Sequence, residues 1–194
     1  MPSFNVRVLT LEEAKTQYKE RMTDDFPADE LKPFSMIERA LGRGAYICYG
    51  AVDGQEIMAY SYFVLHRSAS GAIALLDYYA VREDVRNKGI GGAFLKALVA
   101  GPMKGLSGAV LEVDDPDYAD TPEERARRER RLQFYIRNGM EVTPVTATVF
   151  GVHFRLLSMP VGPQLSCMDV RRMYGDLYRA ILPANLYRNM ISIH

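Results

Sequence analysis

Apolar positions along the chain alternate between two periods, and the switch points define its elements. "LEEAKTQYKERM" has helical spacing, with Thr10 placed to cap it and acidic residues in its first turn. "FPADELKPFSMIERALGRG" predicts a second helix from near Ala28 to the Gly42–Gly44 pair. The β-rich runs "AYICYGAV" and "IMAYSYFVLH" are split by "DGQE", where Asp53-Gly54 is a strong hairpin signal. "GAIALLDYYAV" is nearly all apolar, as expected of a central strand covered on both faces. "GGAFLKALVAGPM" reads as a helix stopping at Gly101-Pro102, and "SGAVLEVDD" as a short strand. "TPEERARRERRLQFYIRNG" is a long charged helix with Thr121 as N-cap, Pro122 at its first position and Gly139 at its end. "VTPVTATVFGVHFRLLSMPV" offers one or two late strands broken near Phe150-Gly151.

The order is β, α, α, β, β, β, α, β, α, β, β and a helical tail. Hairpins followed by strand–helix–strand–helix describe an α+β fold, a mixed and mostly antiparallel sheet flanked by helices. Residues 1–160 form the domain. Residues 161–194 form a helical C-terminal extension, packed on the domain or used to build a dimer. In that tail Val170, Met173, Tyr174, Leu177 and Ile181 make an apolar stripe at helical spacing, the mark of a core or subunit contact.

Composition narrows the function classes. The chain has 194 residues, 48% hydrophobic, enough for one domain with a sizeable core. Lys+Arg and Asp+Glu balance at 24 each, so no overall field favours nucleic acid or an acidic membrane. No apolar run reaches the ~18 residues of a membrane span. The start "MPSFNVRVLTLEEAK" lacks the basic and apolar regions of a secretory signal. The two cysteines, Cys48 and Cys167, have no metal-type spacing, and a cytoplasmic location is the expectation, with no metal.

The chemistry concentrates in "AVREDVRNKGIGGAFL", residues 80–95, between the central strand and a helix. The first amides of a helix lack intrahelical acceptors and sit at the positive end of its dipole. Residues without a Cβ let an anion approach them closely, and Arg86 and Lys88 add mobile positive charge. A dinucleotide fingerprint needs a third glycine at position 94, where Phe94 stands; a nucleotide P-loop needs Gly-Lys-Ser/Thr, which is absent. A basic glycine turn and a diphosphate cradle remain as readings.

The segment Arg86-Asn87-Lys88-Gly89-Ile90-Gly91 after "LLDYYAV" resembles the Arg/Gln-x-x-Gly-x-Gly/Ala motif of the GNAT superfamily of acyl-CoA-dependent N-acyltransferases. "FYIRNGM" resembles that family's Tyr-x-x-x-Gly-Phe segment, with Tyr135, Gly139 and Met140 in place of the Phe. The element order fits from about Phe4 to Leu157. The resemblance implies acetyl-CoA as acyl donor and direct transfer to an amine in a ternary complex. It also implies that backbone groups of Tyr79, Ala80 and Val81 pair with the pantetheine arm. Amides from Asn87 through Lys88, Gly89, Ile90 and Gly91 to Gly92 would bind the diphosphate, and Tyr135 would sit near the thioester sulfur. Many relatives carry a cofactor-contacting Asn seven residues before the Tyr; Arg128 stands there, shares a helix face with Leu132, Tyr135 and Gly139, and could still reach a phosphate or the pantetheine.

Acyl transfer to an amine needs a neutral amine, a donor for the oxyanion and a proton for the departing thiolate. Tyr135 is the candidate acid, and a main-chain N–H near Val81 is the oxyanion donor the family implies. Glu112, in "VLEVDD", and Asp77, an acid inside a strongly apolar strand, are the candidate bases. Asp114 and Asp115 are expected to shape the turn before Pro116. In a fold of that family Glu30 could face the acceptor entrance, while an acidic helix start is the simpler reading. His66, His153 and His194 are read as structural or surface residues, and Cys167 belongs to no nucleophile constellation. The acceptor is expected to be a small-molecule amine, with a peptide amine open. A non-catalytic CoA-binding sensor is the alternative; it would bind CoA without releasing thiol.

Overall fold

Asp53 ends one strand and Gly54 takes the positive φ of +59° that a tight turn requires, so the two runs around "DGQE" fold back as a hairpin. In the computed structural model, which describes residues 3–28 and 30–194, this hairpin joins β2 (Tyr46–Asp53) to β3 (Glu56–Ser68). Met1 and Pro2, in the stretch read for a leader, and Asp29, in the segment read as a helix start, lie outside the described residues. The other strands are β1 (Asn5–Val8), β4 (Gly71–Val81), β5 (Gly108–Asp114), β6 (Glu141–Val149), β7 (Val152–Ser158) and β8 (Ile191–Ile193). They form an eight-stranded sheet in the order β1-β2-β3-β4-β5-β7-β6-β8, in which only β4 and β5 are parallel.

Helices cover both faces. α4 (Ile90–Ala100) and α5 (Pro122–Arg137) bury Phe94, Leu95, Leu98, Leu132 and Tyr135 against one face. α1 (Leu11–Gln17), α3 (Phe34–Gly42) and α6 (Cys167–Ile181) cover the other with Ala14, Ile37, Ala40, Val170, Met173 and Leu177. β4 is therefore buried on both sides, which explains its continuous apolar run. α1 continues through a π-helical turn, Tyr18–Met22, into the short α2, Thr23–Asp25.

The caps at Thr10 and Thr121 are as expected, each side chain accepting an amide of the first turn. The second helix starts at Phe34, not near Ala28. Pro33 occupies its N-cap position, and a proline cannot continue a helix back through its own missing N–H. The tail is not purely helical: after α7 (Ala184–Met190), the three residues of β8 add to the edge of the sheet beside β6. The stripe on α6 lies in the core, with Tyr174 and Leu177 fully buried.

Two irregularities in β4 prepare a site. The register with β3 shifts between Tyr62 and Phe63, which pair with Tyr78 and Leu76, so Asp77 is the extra residue of a β-bulge. Pairing of β4 with β5 runs from Ile73↔Gly108 to Leu76↔Leu111 and stops there. Beyond that point β4 keeps only β3, β5 keeps only β7, and a gap opens between them.

Candidate active site

The open edge of β4 can be read from its pairing with β3. The Arg82 amide donates to the Met58 carbonyl at 2.8 Å, flanking the pair Ala59↔Val81. In an antiparallel ladder this makes Val81 and Tyr79 members of non-hydrogen-bonded pairs, so their N–H and C=O groups point away from β3. They face the gap. The Val81 carbonyl is already taken by Arg86 Nε at 2.9 Å, which leaves the Val81 N–H and both backbone groups of Tyr79 along the edge.

That edge is one wall of a cleft of about 600 Å³ lined by Tyr79, Ala80, Val81, Arg86, Asn87, Gly89, Gly91, Gly92 and Tyr135, with Phe134, Arg137, Val85, Asp25, Phe26 and Arg131. The N-terminus of α4 opens into it without a side-chain cap. Asn87 and Gly89 both have left-handed backbone, with φ of +62° and +78°, and the chain turns sharply into α4 at the cleft wall. Gly91 and Gly92 are required by close approach: a Cβ at Gly91 would lie 3.2 Å from Val81 Cγ2, and one at Gly92 2.6 Å from Asn138 Oδ1. The glycine-rich turn therefore has two structural tasks besides any anion it receives.

Three of the residues named from the sequence stand apart from this cleft. Lys88 Nζ donates to the Asp84 carbonyl at 2.9 Å. The Ile90 side chain is buried beneath the turn, leaving only its amide available. Arg128 does not line the cleft; its guanidinium donates to the Asp115 carbonyl at 2.8 Å and to Glu124 at 2.9 Å. The longer arginine finds partners in its own helix and the preceding turn.

Tyr135 is buried at the cleft wall, its ring edge-on to Tyr79 at 6.3 Å. Burial pushes its phenol up from the ordinary value, while Arg131 pulls it part of the way back. The phenol is accordingly protonated at neutral pH, the state a proton donor requires. Arg131, one turn before Tyr135 on a helix rich in cations, lies over the Phe26 ring at 5.9 Å and meets Asp114 at 3.4 Å. The i, i+4 spacing to Tyr135 was the signal available for it. Asp114 departs from expectation. Asp115 caps the turn through the Asp117 amide, whereas Asp114 faces a second cavity.

This cavity, about 250 Å³, shares Phe26 and Arg131 with the cleft and lies on the opposite face of the β4–β5 gap. Its floor carries both candidate bases. Asp77, on the bulge, accepts Lys32 Nζ at Oδ1 at 2.7 Å and the Tyr46 hydroxyl at Oδ2. Glu112 accepts the hydroxyls of Tyr174 and Tyr178, both at Oε1, the latter at 2.6 Å. Burial raises the Glu112 carboxyl above its ordinary value, with Lys32 pulling down and Asp77 pushing up. Burial alone would lower Lys32, but the pull of Asp77, Tyr78 and Glu112 outweighs it and holds the ammonium charged. Glu30 lines the cavity, as does the left-handed Phe150 at the β6–β7 turn. Lys32, Tyr174 and Tyr178 were not legible as site residues, because contacts between residues 32, 77, 112 and 178 depend on the fold alone. The histidines take no part: His153, for instance, stacks on Tyr118 at 3.7 Å.

The comparisons with known proteins agree with this geometry. The acetyltransferase (GNAT) family matches residues 11–120. A GNAT-family acetyltransferase structure from Bacteroides thetaiotaomicron has a TM-score of 0.67 at 16% identity, covering 90% of this chain and 94% of that one. The Escherichia coli ribosomal-protein-S18-alanine N-acetyltransferase gives 0.55 at 15%, covering 85% and 98%. Arabidopsis thaliana NAA60 in complex with acetyl-CoA gives 0.54 at 16%, covering 81% and 98%. At these identities the likeness is one of fold. No curated protein matches the chain. Strand splay, uncapped helix start and family match coincide on the same residues, and the chain belongs to the GNAT acetyltransferase family.

Proposed function

We propose that the protein moves an acetyl group from acetyl-CoA to a primary amine on a small molecule, by direct transfer in a ternary complex. The observation that carries this reading is the shape of the second cavity. At about 250 Å³ it is less than half the size of the 600 Å³ cleft. Residues of the C-terminal segment, Tyr178, Leu182 and Leu186, help to wall it. A long peptide groove would need that wall removed.

The residues fit the donor. The Tyr79 backbone and the Val81 N–H supply an unpaired strand edge for an amide-bearing arm. The amides from Asn87 to Gly92 suit a diphosphate, and Arg86, paired with Asp25 at 2.6 Å in the cleft wall, would add its charge on exchanging that partner. Arabidopsis NAA60, a fold relative, is described with acetyl-CoA, which supports the same donor.

Glu112 takes the amine proton, directly or through a water, leaving the nitrogen lone pair free to attack. Asp77 is the weaker candidate, since both its oxygens already hold partners. The Val81 N–H donates to the oxygen on which charge develops as the new C–N bond forms. Tyr135 gives its proton to the departing sulfur as the C–S bond breaks, and the phenolate recovers a proton from water in the cleft. Arg131, at the boundary of the two cavities, steadies the phenol.

The test is thiol release from acetyl-CoA over a panel of small amines and N-terminal peptides, with wild type and Tyr135→Phe. Wild type is expected to release thiol with a small amine, and the variant to bind acetyl-CoA within about twofold but turn over 10²–10⁴-fold more slowly. Release with peptides alone would overturn the small-molecule reading. Tight binding with no release for any acceptor would favour the CoA-binding sensor.

A further inference from the structure

Tyr174 and Tyr178 lie one turn apart on α6, in the segment beyond the part of the chain that matches the family. Both hydroxyls converge on a single oxygen of Glu112, at the edge of the β4–β5 gap, and neither donates to Oε2. The rings are 5.0 Å apart, and both side chains are fully buried. Packing needs would be met by phenylalanine at either position; two phenols on one carboxylate oxygen are a specific arrangement. A buried carboxylate without donors is strongly disfavoured, and of the roughly four lone-pair sites on Glu112 the two phenols take those of Oε1 and leave those of Oε2.

We propose that Tyr174 and Tyr178 are positioning residues that pin Glu112 through Oε1 and leave Oε2 to accept the proton of the acceptor amine. Helix α6 is then part of the machinery that orients the base. This inference rests on Glu112 being the base. The groups facing Glu112 are Lys32 from the loop before α3, Asp77 and Tyr78 from β4, and Tyr174 and Tyr178 from α6; Asp114, next on the same face of β5, Glu30 and Arg131 of α5 line the same cavity. Of these, Lys32 and the two phenols favour the ionised carboxylate, and Asp77 opposes it.

The test uses full-length protein labelled with ¹³C at the glutamate carboxyls, the Glu112 signal being assigned by its loss in Glu112→Gln. Titration by NMR needs no acceptor; a pH profile of kcat/KM with the best amine of the panel accompanies it. In Tyr178→Phe the Glu112 midpoint and the acid limb of kcat/KM are both expected to rise by about one pH unit, with acetyl-CoA affinity unchanged. Tyr174→Phe, which removes a donor to the same oxygen, should act in the same direction and serves if the first variant does not fold. Limbs that stay in place or move down in a folded variant overturn the positioning role while leaving Glu112 as base. Wild-type kcat/KM in Glu112→Gln removes the base reading itself.

Discussion

The Arg131 guanidinium lies over the Phe26 ring at 5.9 Å, and these two residues are shared by the cleft and the second cavity. Arg131 also lowers the Tyr135 phenol that burial raises. Replacing it by methionine keeps the apolar stem and removes the charge. Arg131→Met is expected to lower kcat about tenfold, as loss of one charged hydrogen bond does, and to move the basic limb of the kcat profile upward. Steady-state kinetics across pH would check this; an unchanged limb would detach Arg131 from Tyr135.

The glycines of the cradle should respond differently to substitution. Gly89 needs its left-handed backbone but has open space around it, so Gly89→Ala is expected to cost about 1 kcal/mol through backbone strain and to weaken acetyl-CoA binding. Gly91→Val drives a branched side chain against Val81 and Phe134, whose nearest atoms would already lie 3.2 and 3.3 Å from its Cβ. It should lose stability as well as affinity, so it is a poor isolated probe of the cradle. Urea melts beside calorimetric titration with acetyl-CoA separate the two losses.

Acid sensitivity should be visible at the first helix. Arg7 forks onto Glu13 at 2.6 and 2.8 Å, and the Thr10 amide adds a third donor, holding the Glu13 carboxyl at about 2 against an ordinary 4.5. The folded value is below the unfolded one. This stabilisation is therefore complete above about 4.5 and lost as pH falls towards 2. Glu13→Ala removes the capping box, with an expected loss of about 1 kcal/mol, or roughly 2–4 °C in Tm, at neutral pH. The difference between variant and wild type should shrink on acidification, as thermal melts from pH 7 to pH 2 would reveal.

The C-terminal segment should prove inseparable from the domain. Leu177 is fully buried in the core shared by α6 and the sheet. Leu177→Ala is expected to lose 2–5 kcal/mol, as cavity-creating substitutions do. A chain ending at residue 160 should fail to give a cooperative melt. A folded, acetyl-CoA-binding fragment would return the segment to the status of a dispensable extension.

Local chemistry made much of this protein legible. The period of apolar residues, the Thr10 and Thr121 caps, the Asp53-Gly54 turn and the doubly apolar β4 each depend on neighbours within a few positions. The glycines between β4 and α4 marked the uncapped start of a helix for the same reason, since a helix start is a local object. Pro33 was also in plain view, and its missing N–H is why the second helix starts later than the periodicity suggested.

What the linear order withheld was decided by assembly. The bulge at Asp77 arises only when β4 is laid against β3, and the gap that exposes Val81 arises only because β4 and β5 part after Leu76 and Leu111. Arg131 is one of several cations on α5, and only the assembled fold brings Phe26 and Asp114 to it from other elements. Glu112 and Tyr178 stand 66 residues apart, and no periodicity links them. Residue spacing determines what a segment can form, because backbone hydrogen bonds and side-chain periods act over short range. Which carboxylate meets which phenol follows from burial of two helix layers on one sheet, a property of the whole chain.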